Sequence, residues 1–318
     1  MNHNILITSA GQRVALVRAF QETLIRFFPE AKVYTTDMNP RLAPVAYVSD
    51  GCYEVFRVTD NRYPQQLLQL CKKDGIGLIV PTIDTELLVL AEHKKMFEEN
   101  GIAVSVSSLD FIKICRDKRN TGQFFEEHRI RIPRPIDKNN PSFPLFAKPF
   151  DGSLSTNLHY IKSSEELTDE ILNDSKLLFM EYIDKDLYKE YTIDMYYGLD
   201  NKVKCIVPRE RIKIRAGEIN KGLTEKEPLT KYLFDRLETV NGCVGCICVQ
   251  VFMNPDTEDV VGIEINPRFG GGYPQTYAAG GNYPELLIRE YFLGESIDYF
   301  DNWKDHLLML RYDDAVFI

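Results

Sequence analysis

At 318 residues, with 44% hydrophobic and 27% charged residues, the chain is long enough for two or three modules and too ordinary in composition for a disordered or fibrous protein. The formal net charge of −9 disfavours a nucleic-acid-binding surface, which needs a basic stripe against phosphates, and leaves local clusters such as PRERIKIR to meet a small anion. No apolar run approaches the roughly 18 residues of a membrane span, and the start MNHNILITSAGQR lacks the cationic and apolar regions of a signal peptide, so a cytoplasmic protein is expected.

The opening NILITSAGQRVALVRAFQETLIRFF reads as a short buried strand, a small-residue turn and an amphipathic helix with Val14, Val17, Leu24 and Phe27 near one face. A second strand, KVYTTDMN, ends in Asp37. A third, GLIVPTIDTEL, is expected to end in Pro81, Thr82, Asp84 and Glu86. In open parallel sheets ligands gather at the carboxyl ends of strands, where these polar clusters fall, so the first 112 residues are expected to form one doubly wound domain.

A charged helix then leads into a segment dense in Pro133, Pro135, Pro141 and Pro144, which marks edges and turns rather than a central strand. From FAKPFDGSLSTNLHYI onward, alternating strands are separated by turns such as GLDNK and NPDTED, with helices near 164–172, 225–240 and 282–293. This pattern predicts an α+β region of two lobes. The seven cysteines are an odd number, and Cys243, Cys246 and Cys248 have no second pair at metal-ligand spacing, so they read as buried thiols in a strand.

Four stretches carry chemistry. In FAKPFDGSLSTN, Lys148 precedes Gly152, Ser153, Ser155 and Thr156, an ammonium followed by hydroxyl and backbone donors suited to phosphate oxygens; the order is not that of a Walker A loop, and an exposed hairpin with a surface lysine fits the same residues. In LLFMEYIDKDLYKEYTIDM, an apolar strand ends at Glu181, Tyr182 and Ile183, and Glu190 opens the next strand. These offer an adenine slot and a ribose carboxylate, or equally a solvated connection. In CVQVFMN and VVGIEINPRFGGG, Gln250 and Glu264 face each other across a hairpin, and Asn266 shares the face of Glu264 by the period of two. Such hard oxygen ligands suit Mg²⁺, and Arg268 just past the strand suits charge on a transferring phosphoryl group. Finally, the first turn presents Ser9, Gly11, Gln12 and Arg13 at a helix N-terminus, opposite Thr82, Asp84 and Glu86. One cluster suits a carboxylate and the other an ammonium, as a zwitterionic amino acid requires.

Taken in order, Lys118, Lys148 with its Gly/Ser loop, Glu181, Glu190, Gln250, Glu264, Asn266 and Arg268 resemble the motif set of ATP-grasp enzymes over about residues 112–295, and the first domain resembles a pre-ATP-grasp domain. The chain looks similar to the short proteins related to the large subunit of carbamoyl-phosphate synthase. The resemblance implies a pre-ATP-grasp domain (1–112), a lid subdomain (113–185) and a core subdomain (186–318). It also implies that Lys118 and Lys148 hold the α and β phosphates, Glu181 with the backbone of Tyr182 and Ile183 the adenine, and Glu190 the ribose. Gln250, Glu264 and Asn266 would bind Mg²⁺, or Mn²⁺ as a substitute. Arg211, Lys213 and Arg215 fall where related proteins approach the transferred phosphate. The run Gly270, Gly271 and Gly272 departs from carbamoyl-phosphate synthase, which leaves the acceptor open.

The function expected is an ATP- and Mg²⁺-dependent ligase that activates a carboxylate as an acyl phosphate for attack by an amine, giving ADP and phosphate. Its partners would be small-molecule carboxylates and amines, with no nucleic acid or membrane, and a homodimer is compatible. A nucleotide sensor of the same fold is the alternative. A Rossmann oxidoreductase is disfavoured because SAGQRV holds a single glycine where G-x-G-x-x-G is needed.

Overall fold

The computed structural model describes residues 2–152, 157–215 and 217–318. Strand β1 (Asn4–Thr8) is buried on both faces at the middle of a parallel sheet, which is why it reads as a continuous apolar run rather than an alternation. It leads into α1 (Val14–Phe27), β2 (Val33–Asp37), β3 (Gly51–Glu54), α2 (Tyr63–Lys73), β4 (Ile76–Pro81), α3 (Asp84–Glu98) and β5 (Ala103–Val104). The strand order β3-β2-β1-β4-β5 reverses between β1 and β4, so a crevice opens outside the carboxyl ends of those two strands. The expected third strand is corrected here. It stops at Pro81, and Asp84 and Glu86 form the first turn of α3, where free N–H groups favour carboxylates.

The expected charged helix is two, α4 (Leu109–Arg116) and α5 (Lys118–Glu127), because the Asp117 side chain accepts from Arg119 N and caps a fresh helix start. The region expected as the lid follows: β6 (Leu145–Pro149), β7 (His159–Ile161), α6 (Asp169–Asn173) and β8 (Leu177–Glu181), with an antiparallel sheet in the order β7-β6-β8 over a small core of Leu145, Ala147, Ile161, Leu177 and Phe179. The proline-rich segment runs along edges, with single bridges from Arg131 to Val261 and Pro135 to Met180.

The large antiparallel sheet comprises β9 (Lys189–Tyr197), β10 (Val203–Arg215), β11 (Glu218–Thr224), β12 (Gly245–Met253), β13 (Val260–Asn266) and β14 (Leu308–Leu310), in the order β13-β12-β9-β10-β11-β14. Helices α7 (Leu229–Leu237), α8 (Tyr273–Ala279) and α9 (Tyr283–Leu293) complete the fold. Helix α8, which the glycine run before it disguised, was not expected. One face of the large sheet packs on α4, α5 and α7. Near its other side, α1 shares a core with α8 and α9 through Phe20, Leu24, Tyr273, Tyr283 and Leu287, and Arg26 on α1 pairs with Glu285 on α9 at 2.6 Å. The first and last parts of the chain are thus packed as one unit.

Candidate active site

A cavity of about 630 Å³ lies where the lid, the crevice of the first sheet and the large sheet meet. Its floor is one face of the large sheet. Strand alternation places Glu190 and Thr192 of β9, Arg209 and Arg211 of β10, Cys248, Gln250 and Phe252 of β12, and Glu264 and Asn266 of β13 along it. Gln250 pairs directly with Glu264 in the ladder, as the hairpin pattern anticipates.

At the lid end, Lys148 on β6 is 8% exposed, and burial pulls its ammonium down to about 8, with Glu264 opposing that shift and Lys118 adding to it. Lys118, at the start of α5, donates to the Gly152 carbonyl at 2.6 Å and lies 4.0 Å from Glu264. The apolar wall includes Phe146, Met180, Ile183 and Phe252. Glu181 pairs with Arg131 and Arg134 while its backbone N–H donates to Arg134 O at 2.9 Å, and the Tyr182 ring stacks on Tyr160 at 4.2 Å. Glu190 accepts from Arg211 at 2.8 Å, and Arg211 also reaches Gln250 Oε1 at 3.3 Å and Gly217 O at 2.8 Å. Asn266 Nδ2 donates to Glu264 Oε1 at 3.0 Å. Gln250, Glu264 and Asn266 therefore stand together as one carboxylate and two amides, a hard oxygen set that fits Mg²⁺ shared with phosphates.

At the opposite end, Arg268 donates to Asp84 at 2.6 Å. Burial lowers the Arg268 pKa, but Asp84 outweighs it and the net direction is up; its Nε has no partner among the described residues. The three glycines beyond it are notches. A Cβ on Gly270 would meet Cys248 Sγ at 2.7 Å, one on Gly271 would collide with Glu218, and one on Gly272 with Arg209. Arg209 is fully buried and clasped by Asp194 at 3.1 and 3.0 Å, and Asp194 also accepts from Cys248 at 3.0 Å and Thr276 at 2.5 Å. Neither Arg209 nor Glu218 was singled out from the sequence. The signal was there: Asp194 is an isolated carboxylate in the apolar run TIDMYY, and a buried aspartate needs a cation.

Several expected residues lie elsewhere. Lys213 and Arg215 are exposed and outside the cavity, and Arg215 pairs with Asp313. Strict alternation would place Lys213 beside Arg211, but the pairing of β10 with β11 shifts around residue 213 and Ile214 lines the cavity instead. Of the first-turn residues, Arg13 reaches the cavity and donates to Thr82 O at 3.0 Å, whereas Ser9, Gly11 and Gln12 do not line it. The Thr82 hydroxyl is spent on the carbonyls of Thr8 and Ser9, at 2.9 Å each. Glu86 is fully buried against Tyr63, which corrects its expected place in the cleft, and burial raises its pKa. Ser153, Ser155 and Thr156 lie outside the described residues. The cysteines are free, and Cys243, Cys246 and Cys248 are buried. No helix among the described residues is long and apolar enough to cross a membrane.

Residues 5–105 match the family model for the PylC-like N-terminal domain, and residues 173–313 match that for the ATP-grasp in the biosynthetic pathway with Ter operon. No curated protein matches the sequence. Among solved structures, N5-carboxyaminoimidazole synthetase from Staphylococcus aureus, complexed with ADP, superimposes with a TM-score of 0.72 at 16% identity, covering 94% of this chain and 79% of its own. The biotin carboxylase domain of Hydrogenobacter thermophilus 2-oxoglutarate carboxylase, bound to Mg-ADP, ADP and bicarbonate, gives 0.71 at 14% identity over 96% and 73%. L-amino acid ligase from Bacillus licheniformis gives 0.66 at 16% identity over 91% and 74%.

Proposed function

We propose that this chain, whose residues 173–313 match an ATP-grasp family model and which shares its fold with ATP-grasp enzymes, is an ATP-dependent ligase that joins a carboxylate to an amine, forming ADP and phosphate. The observation that carries this reading is the meeting, in one cleft, of two lid-side ammonium groups with a carboxylate and two amides on the facing sheet.

Lys118 and Lys148 hold the phosphates. Lys148 is prepared for them, because a buried ammonium without a bonded carboxylate is costly until an anion arrives. The apolar wall between Phe146 and Phe252 takes the purine, the backbone at Tyr182 and Ile183 its edge, and Glu190 the ribose. Glu190 is held ready by Arg211, so ribose binding redistributes an existing ion pair. Gln250, Glu264 and Asn266 hold Mg²⁺, or Mn²⁺ in its place, which neutralises charge on the β and γ phosphates when bound. Arg268, oriented by Asp84, faces the transferred phosphoryl group and the acid that receives it. A nucleotide sensor would need no cation so oriented beyond the metal ligands.

The test is direct. Purified protein with ATP, Mg²⁺ and pools of carboxylates and amines should release ADP only when both pools are present. ADP release that ignores both pools overturns the ligase reading in favour of simple ATP hydrolysis, and binding of ATP with no release under any combination favours the sensor.

A further inference from the structure

At the end of the cleft away from the lid, beside the buried pair of Arg209 and Asp194, three further guanidinium groups meet two carboxylates. Arg268 is bonded to Asp84 at 2.6 Å and Arg311 to Glu218 at 2.8 Å, which leaves Arg13. Among the described residues Arg13 has no ion pair; its only side-chain hydrogen bond goes to the Thr82 carbonyl. Yet it lines the cavity, partly buried, from the loop after β1. Burial lowers its pKa and the neighbouring Arg268 lowers it further, while Glu218 and Asp84 counter this. A cation in that position is completed by an anion from outside the chain.

Glu218 lies on the same stretch of wall. Arg311 takes its Oε2, and Arg311 also donates to Gly271 O, so the glycine run and the carboxylate are tied together. The absent side chain at Gly271 is what lets the Glu218 carboxylate rest there. Its other oxygen, Oε1, has no hydrogen-bond partner among the described residues, and Glu218 lines the cavity.

We infer that Arg13 and Glu218 form the acceptor subsite, and that the amine nucleophile is a free amino acid whose carboxylate rests on Arg13 while its amino group faces Glu218. This rests on the ligase reading above and moves the ammonium partner from the expected Asp84, which Arg268 occupies, to Glu218. The one uncompensated guanidinium charge is met by the amino acid carboxylate, while Glu218 faces its ammonium. The ammonium gives one proton to Glu218. The nitrogen lone pair then forms the C–N bond at the acyl phosphate carbon, and the C–O bond breaks with its electron pair leaving on phosphate. The second nitrogen proton goes to that phosphate, giving amide and hydrogen phosphate, and Glu218 releases its proton to solvent.

The experiment is thermal melting of the full chain with Mg²⁺ and a non-hydrolysable ATP analogue, followed by millimolar pools of the twenty common L-amino acids, of their carboxamides, and of their N-acetyl derivatives. Ligand that binds only the native state raises Tm. The free amino acids should raise it beyond the analogue alone, and the other two pools should not. Arg13→Met should weaken the effective amino acid, identified by splitting the pool, on the order of 100-fold. Arg13→Lys should recover part of that loss, and Glu218→Gln should weaken it less than Arg13→Met. Equal shifts from the N-acetyl pool, no shift from any amino acid, or full retention in Arg13→Met each overturn the subsite. If the analogue itself produces no shift, the ligase reading falls and this inference with it; a shift with analogue alone leaves the ligase reading standing while the subsite fails.

Discussion

At the lid end of the cleft Lys148 is buried with no carboxylate bonded to it among the described residues and Lys118 is 4.0 Å from Glu264, whereas at the far end Arg268 and Arg209 are each clasped by an aspartate. The same residue classes are used in opposite ways. A loosely compensated pair of ammonium groups suits a polyanion that arrives and leaves, because the ligand supplies the missing charge. A guanidinium bonded to its own aspartate keeps its position whether or not a ligand is present, which suits orientation of reacting atoms.

The largest expected effect comes from breaking the far end. Asp194→Ala strands Arg209 in a site where it is fully buried, so unfolding in denaturant should show a loss of about 3–5 kcal/mol. A loss below about 1 kcal/mol would mean that water reaches Arg209 and that this end is no more preformed than the other. Next, Glu264→Ala should reduce ATP turnover by about 100- to 1,000-fold while the melting transition stays cooperative, since Glu264 belongs to the cleft and not to the core. Unchanged turnover would remove the hairpin from the chemistry.

Lys148 sharpens the contrast from the lid side. Its ammonium sits at about 8 in the folded protein, below its ordinary 10.5, so folding is penalised below pH 8 and the penalty is relieved as pH rises from 8 to 10.5. Lys148→Met should therefore stabilise the nucleotide-free protein by up to about 3 kcal/mol at pH 7, and the gain should vanish near pH 10.5. If Lys148 holds nucleotide phosphates as proposed, they restore the proton, and wild-type affinity should fall as pH climbs through 8; a titration that is flat from pH 7 to 9.5 would show the lysine already compensated. The smallest effect is expected at Arg215. Its pair with Asp313 is exposed, and Arg215→Ala should leave both turnover and melting unchanged. A turnover defect there would return residue 215 to the cleft.

What the sequence made legible was local. The strand, turn and helix over residues 4–27 follow from apolar spacing, and the facing of Gln250 and Glu264 follows from a short turn and a period of two. What it hid depends on neighbours far along the chain. Nothing local says that α3 turns Glu86 inward under Tyr63 while leaving Asp84 for Arg268, 184 residues away. The irregular pairing near Lys213 comes from a register shift against β11, which an alternation count on β10 alone cannot detect. Likewise Arg209 reads as one more member of a basic cluster until Asp194, on the adjacent strand, is seen to claim it.

The packing of α1 against α8 and α9 has a consequence for how the chain comes into being. Phe20 and Leu24 leave the ribosome more than 240 residues before Tyr273 and Leu287, the side chains that cover them. During most of synthesis the side of that stripe turned to α8 and α9 stays open, although residues such as Ile5, Ile7 and Val33 of the first domain share its core, and closing so long a loop costs entropy before the contact repays it. The nascent first domain is therefore the aggregation-exposed stage of this protein's life, and holdase chaperones should engage it until the last helices emerge.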